Sequence, residues 1–206
     1  MMASVCLKVG LVSSGLGLTC AVMAIASSMW LRIRYPFLKN DIGLMRHCDV
    51  DSDYCGDMER LDALVDVRYA AWFRSVQALY LLHCVGLLVS TAMYILYTIR
   101  FFESKGSFKV LTAFNFLTVA FGVYAVAVFG TSYSKFFGLG SHPTTDDYSS
   151  LDWAFYTAIT GCCFSFLVMI FSAMEASQAA DIFRNMQHRI TVWNTPYTLF
   201  VDQETA

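Results

Sequence analysis

The side chains that could do chemistry in this chain gather in one short stretch. Cys48 and Cys55 stand with six residues between them, His47 precedes the first, and Asp49, Asp51, Asp53 and Asp57 are interspersed around them. Two cysteines this close can reach each other, and a disulfide persists only on the oxidising side of a membrane. A structural zinc needs about four ligands, and His47 with the two thiols supplies three at most. The ligand count favours a disulfide, with a metal site or free thiols as the alternatives. An EF-hand calcium loop fits poorly, because Asp49-x-Asp51-x-Asp53 lacks the glycine and the closing glutamate at the required offsets. Asp49, Asp51, Asp53 and Asp57 crowd carboxylates around the two cysteines. The plainer reading is a solvated loop, since Glu59, Asp62 and Asp66 continue the run and Arg46, Arg60, Arg68 and Arg74 are mixed among them. Elsewhere there is no nucleophile elbow, no phosphate-cradling glycine loop and no histidine pair with ligand spacing. The expectation is a chain that is not an enzyme and takes no cofactor.

The elements that must position these residues are set by hydropathy. Of 206 residues, 57% are hydrophobic and 15% charged, against roughly 45–50% and 25% in soluble domains. A net charge of −2 gives no basic field for phosphates, so no nucleic-acid partner is expected. The charges leave four long gaps: 21 residues between Lys8 and Trp30, 25 from Ser75 to Ile99, 25 from Val110 to Ser134, and 22 from Trp153 to Met174. A spanning helix needs roughly 20 apolar residues, and barrel strands would alternate instead. The pattern predicts a single four-span membrane domain in the lipid bilayer, mainly α, with spans at about 9–30, 75–99, 110–134 and 153–174. The first run exceeds the roughly 7–15 apolar residues of a secretory signal, so it is read as a span. Gly10 and Ser14, then Ser13, Gly17 and Ala21, repeat at helical spacing, as do Ala158 and Cys162, and Gly161 and Ser165. Small residues four apart let helices approach closely, so these stripes are expected inside the bundle. His83 is the one ionisable residue within a gap. Without a partner of its own it reads as a neutral donor to a carbonyl on a neighbouring helix, and Asn115 and Gln77 read as interhelical hydrogen-bonding groups.

Four spans put the loops at 31–74 and 135–152 on one side and both termini, with the tail 175–206, on the other. Lys and Arg number eight on the loop side and six on the tail side, so the positive-inside rule does not decide. The Cys48–Cys55 pair does, placing the long loop outside and both termini in the cytosol. Within that loop Leu31, Ile33 and Tyr35 alternate with Arg32 and Arg34, predicting a half-buried strand. Gly43 to Val50 makes a second strand, and Leu61, Leu64, Val65 and Arg68 fall at helical spacing. A small extracellular antiparallel sheet stapled by the disulfide follows. In the second loop Phe136 and Phe137 stand beside Gly138 and Gly140 and suit either a trans contact or the membrane interface. In the tail, Ile182, Phe183, Met186 and Ile190 suggest a short interfacial amphipathic helix.

These residues resemble a known superfamily: claudins, peripheral myelin and epithelial membrane proteins, and calcium-channel gamma subunits. Its first loop carries a Trp at the end of span one, then Gly-Leu-Trp, a Cys and a second Cys. This chain has Trp30, Gly43-Leu44-Met45, Cys48 and Cys55 in that order, with Met45 in place of the Trp. Arg74 matches an arginine that claudins place at the mouth of span two. Arg74-Ser75-Val76-Gln77-Ala78-Leu79 and Tyr148-Ser149…Trp153-Ala154 are similar to the myelin and epithelial branch. The resemblance implies a structural role in the plasma membrane, by assembly at cell junctions or organisation of a membrane domain, with itself or another membrane protein as partner. The alternative is the role of an auxiliary subunit that modulates gating or trafficking of an ion channel or receptor. In claudins first-loop charges line a paracellular path, which would make the four aspartates cation-facing.

Overall fold

The computed structural model describes residues 5–35, 38–52, 54–57, 71–99, 107–136 and 148–194. Four helices, α1 (Val5–Ala26), α2 (Ala71–Thr98), α3 (Ser107–Phe136) and α4 (Trp153–Asn194), form a bundle. Five short strands form one small sheet: β1 (Leu31–Tyr35), β2 (Leu38–Ile42), β3 (Arg46–Asp49), β4 (Tyr54–Asp57) and β5 (Tyr148–Leu151). The segments Val5–Ala26, Ala71–Thr98, Phe108–Tyr133 and Trp153–Gln178 are each long and apolar enough to cross a membrane. The fold is a four-helix membrane bundle capped at one end by an antiparallel sheet.

The first span lies earlier than its hydropathy suggests. Helix α1 ends at Ala26, because Ser27 turns its hydroxyl onto the backbone N–H of Met29 (3.0 Å) and so offers the chain a turn instead of another helical bond. Helix α4 departs from expectation at its other end. No glycine or proline occurs between Gly161 and Pro196, and the helix runs unbroken to Asn194. Ile182, Phe183, Met186 and Ile190 therefore belong to the last part of α4, not to a separate interfacial helix.

In a bilayer, helices gain little from burying apolar surface against one another, so close packing and polar contacts must hold them. The small stripes do the first. Ser13, Ser14, Gly17, Ala21 and Ala24 on α1, and Ala158, Gly161, Cys162 and Ser165 on α4, are all buried. At the centre of this seam a β-carbon on Gly17 would lie 3.2 Å from Cβ of Phe164 and 3.6 Å from the Gly161 carbonyl oxygen. Polar side chains do the second. Ser14 and Thr91 hydroxyls meet at 2.5 Å across α1 and α2. The Ser90 hydroxyl donates to the Asn115 side-chain oxygen, and the Asn115 amide donates to Ser172 at 3.3 Å. Asn115 thus links α2, α3 and α4, as its position in span three suggests.

The sheet has the order β4-β3-β2-β1-β5 and is antiparallel throughout. The predicted second strand at Gly43 to Val50 is two elements. Gly43 to Met45 form the turn, closed by the Gly43 N–H on the Arg46 carbonyl (2.8 Å), and β3 starts only at Arg46. An additional strand, β2, precedes the turn, and β5 comes from the second loop to pair with β1. The segment Leu61 to Arg68 lies outside the described residues.

Candidate functional site at the sheet and its root

The root of the sheet is built around Trp30. Its backbone N–H donates to the Ile42 carbonyl (3.0 Å) and its carbonyl accepts from Asp152 (3.0 Å), so β1 begins between the β2 and β5 strands that flank it. The fully buried indole turns back into the bundle. It donates from Nε1 to the Ala24 carbonyl at 2.6 Å, satisfying a carbonyl in the last turn of α1. The indole also meets Tyr80, Phe129 and Phe155 edge-on, with ring centroids 5.2, 5.1 and 5.8 Å apart. One side chain thereby touches α1, α2, α3 and α4 at the level where the sheet begins.

Gly43 and Leu44 close the same junction. A β-carbon on Gly43 would overlap the Ser27 carbonyl oxygen and lie 2.7 Å from Cα of Ser28, so only glycine lets the β2–β3 turn sit against the end of α1. Leu44 is fully buried, and its carbonyl accepts from Nε2 of Gln77 at 2.5 Å. Gln77 therefore ties α2 to the loop, whereas its position suggested a helix-to-helix bond. Met45 is at the surface. Arg74 is an exposed residue in the first turn of α2, at the same end as the sheet.

Cys48 and Cys55 are directly opposed in β3 and β4 and joined by a disulfide, with Cα atoms 4.1 Å apart. The Ser28 hydroxyl lies 3.4 Å from the Cys48 sulfur. An oxidised sulfur carries no hydrogen, so the hydroxyl is the donor, and the staple is fastened to the end of α1.

The acidic residues divide by role. Asp49 shapes the β3–β4 turn: its carboxylate accepts from the Asp51 N–H (3.0 Å) and the Ser52 hydroxyl (2.8 Å). Those donors, the Ser52 hydroxyl foremost, hold its carboxyl below the usual carboxylate range. Asp51 is exposed and pairs with Lys39 at 3.1 Å. Asp57 lies in β4 and Phe136 is the last residue of α3. Asp53 and Phe137 fall outside the described residues.

The sheet's main ion pairs were not legible as such. Arg32 reaches Asp152 at 2.6 Å and Arg34 reaches Asp41 at 2.8 Å. Arg32 is opposite Asp41 in the β1–β2 register, so Asp41 stands beside both arginines. Asp152 also precedes α4 and accepts the Trp153 N–H at 2.7 Å, placing a negative charge at a helix N-terminus where the dipole favours it. The alternation of Arg32 and Arg34 was a signal for β1, but Asp41 needed β2 to become a partner.

Inside the bundle His83 is fully buried, with Nδ1 2.8 Å from the Thr118 carbonyl on α3, as its isolation suggested. Gly122 makes room for it, since a β-carbon there would lie 2.6 Å from Nδ1. An apolar groove of about 570 Å³ runs between α3 and α4, with Val123, Ala127, Ile159 and Phe166 among its walls. Among the described residues no three His, Cys, Asp or Glu side chains are grouped to hold a metal ion. Compared with known proteins, the chain matches no family model and no curated protein.

Proposed function

We propose that this chain is a claudin-like four-span protein of the plasma membrane, with the sheet outside and both termini in the cytosol, that acts structurally by lateral and trans assembly at cell–cell contacts. The observation that carries the reading is the rigid mounting of the sheet: Trp30, Gly43, the Arg32–Asp152 pair and the Ser28-backed disulfide fix it to all four helices. A sheet held this way transmits force or position between a neighbour and the bundle. It also presents Met45, Val50 and Tyr54 as exposed apolar groups beside charged ones, the mixture that contact surfaces use. The outside orientation is supported by the disulfide. Trp72, Tyr133, Trp153 and Tyr156 gather at the sheet end of the spans, as aromatics do at an interface.

A second reading, that of an auxiliary subunit of a channel or receptor, draws on the α3–α4 groove, whose apolar walls suit a partner's transmembrane helix. The two readings separate on one experiment. Two differently labelled populations of non-adherent cells expressing the chain are mixed, and the protein is then purified in mild detergent. Enrichment at contacts between expressing cells, with recovery of homomeric assemblies, is the expected result. An even surface distribution, with a channel or receptor recovered at fixed stoichiometry, would overturn it in favour of the second reading.

A further inference from the structure

We infer that Tyr80 and His83 hold one ordered water molecule inside the bundle, between the aromatic cluster at the root of the sheet and helix α3. Both side chains are fully buried, and their rings lie 5.6 Å apart at 44°. The Thr118 carbonyl can only accept, so the His83 Nδ1 that faces it at 2.8 Å carries the hydrogen. In the neutral ring Nε2 is then a bare acceptor. The Tyr80 hydroxyl has a hydrogen to give. Neither Nε2 nor the Tyr80 oxygen is reached by solvent or has a hydrogen-bond partner among the described residues. Within a membrane span an unmet polar group has no bulk water to turn to, and a donor and an acceptor on neighbouring rings call for a common partner.

A direct bond is opposed by what holds each ring. Tyr80 is fixed edge-on against Trp30 at 5.2 Å, and His83 is pinned by Thr118 and by the α3 backbone at Gly122. The two residues are three apart on one face of α2, where side chains are neighbours without being superimposed. A water accepts from the Tyr80 hydroxyl and donates to His83 Nε2, which meets both needs and gives the water the minimum of two polar partners. The chain of contacts then runs from the sheet through Trp30, Tyr80, the water and His83 to the α3 backbone, a polar link within the aromatic packing.

The test is solid-state NMR on the full chain, ¹⁵N-labelled at histidine and tryptophan and ¹³C-labelled at tyrosine, in lipid bilayers. Magnetisation transferred from water should build up at the His83 ring and the Tyr80 ring several-fold faster than at the Trp30 indole, which is equally buried but bonded to protein. In Tyr80→Phe the transfer to His83 should fall towards that reference. Transfer to wild-type His83 no faster than to Trp30 would overturn the inference, because it would mean that the two rings are dry or bonded directly. The wild-type comparison decides even if the variant does not fold.

Discussion

Replacing Trp30 by alanine should damage the joint between sheet and bundle more than the bundle itself. The indole is fully buried and meets three rings at 5.1 to 5.8 Å. Truncating a packed Trp to Ala costs about 3–5 kcal/mol, most of it lost packing around the cavity left behind. The Ala24 carbonyl, which accepts from Nε1 at 2.6 Å, would also lose its side-chain partner, at a cost of about 1 kcal/mol. A loss of about 4 kcal/mol is expected for Trp30→Ala. Trp30→Phe keeps a ring against Tyr80, Phe129 and Phe155 and gives up mainly the N–H, so about 1–2 kcal/mol is expected. Reversible unfolding in mixed detergent and SDS, followed by far-UV circular dichroism, measures both. Hydrogen exchange then locates the damage. The amides of Trp30 and Asp152, which bond across β1 to Ile42 and Trp30 carbonyls, should lose protection in Trp30→Ala, while those of the α1–α4 seam around Gly17 and Gly161 keep theirs. A Trp30→Ala loss below about 1 kcal/mol, well short of the usual core value, would refute the assignment of Trp30 as the joint. So would equal loss of protection at both places.

Gly43→Ala should be worse than a usual glycine substitution, because its β-carbon meets the Ser27 backbone. Expression in folded form should fall sharply, whereas Gly15→Ala, with open space around it, should express as wild type. Cys48→Ser with Cys55→Ser removes a staple across a separation of seven residues and should lower stability by about 2–3 kcal/mol in the same detergent unfolding assay. Asn115→Leu breaks the Ser90–Asn115–Ser172 link among three helices, with an expected loss of about 1 kcal/mol, since membrane hydrogen bonds average about 0.6 and reach about 1.7. Asp49 has a carboxyl held below its ordinary range by Ser52 and Asp51. Its contribution is present above the unfolded value of about 3.9 and disappears as pH falls through the lower folded value. Carboxyl NMR should show that low midpoint, and Ser52→Ala should raise it.

The bundle was legible because lipid imposes a length and an apolar composition that few other folds share. The stripes of Gly10, Ser14 and Gly17 on α1 and of Ala158, Gly161 and Ser165 on α4 were legible for the same reason, since small residues at that spacing have a specific use in membranes. Position within the sheet was harder. Leu31 to Tyr35 shows clean alternation, but β2 is Leu-Lys-Asn-Asp-Ile, with two apolar residues at its ends. Asn40 is buried there by its neighbours, not by its own hydropathy. Strand β5 depends entirely on pairing with β1, which lies more than a hundred residues earlier, and Tyr-Ser-Ser-Leu carries no strand pattern of its own. Trp30 was visible as a signature residue, yet its role needed three rings from three different helices. The end of α4 misled for a local reason. An amphipathic pattern reports a helix but not whether the helix is joined to the one before it, and here the absence of glycine and proline after Gly161 decides.

The arrangement of charge bears on what the sheet can do. An unpaired row of carboxylates would give the surface a strong negative field, and that was one meaning the aspartates held in sequence. Among the described residues, acidic side chains stand next to basic ones or turn donors. Asp41 lies beside Arg34, Asp152 beside Arg32 and Asp51 beside Lys39, at 2.8, 2.6 and 3.1 Å, all well inside a Debye length of about 8 Å. Asp49 spends its carboxylate on the turn. The exposed Lys39–Asp51 pair adds little stability, but all three pairs cancel charge locally, and the two more sheltered ones fix which strand faces which. Like charges brought together across a contact cost several kcal/mol, whereas alternating ones can be matched by a partner in one register. Under the proposed function, adjacent opposite charges on the described strands, mounted on all four helices through Trp30, would fix the register of a protein contact.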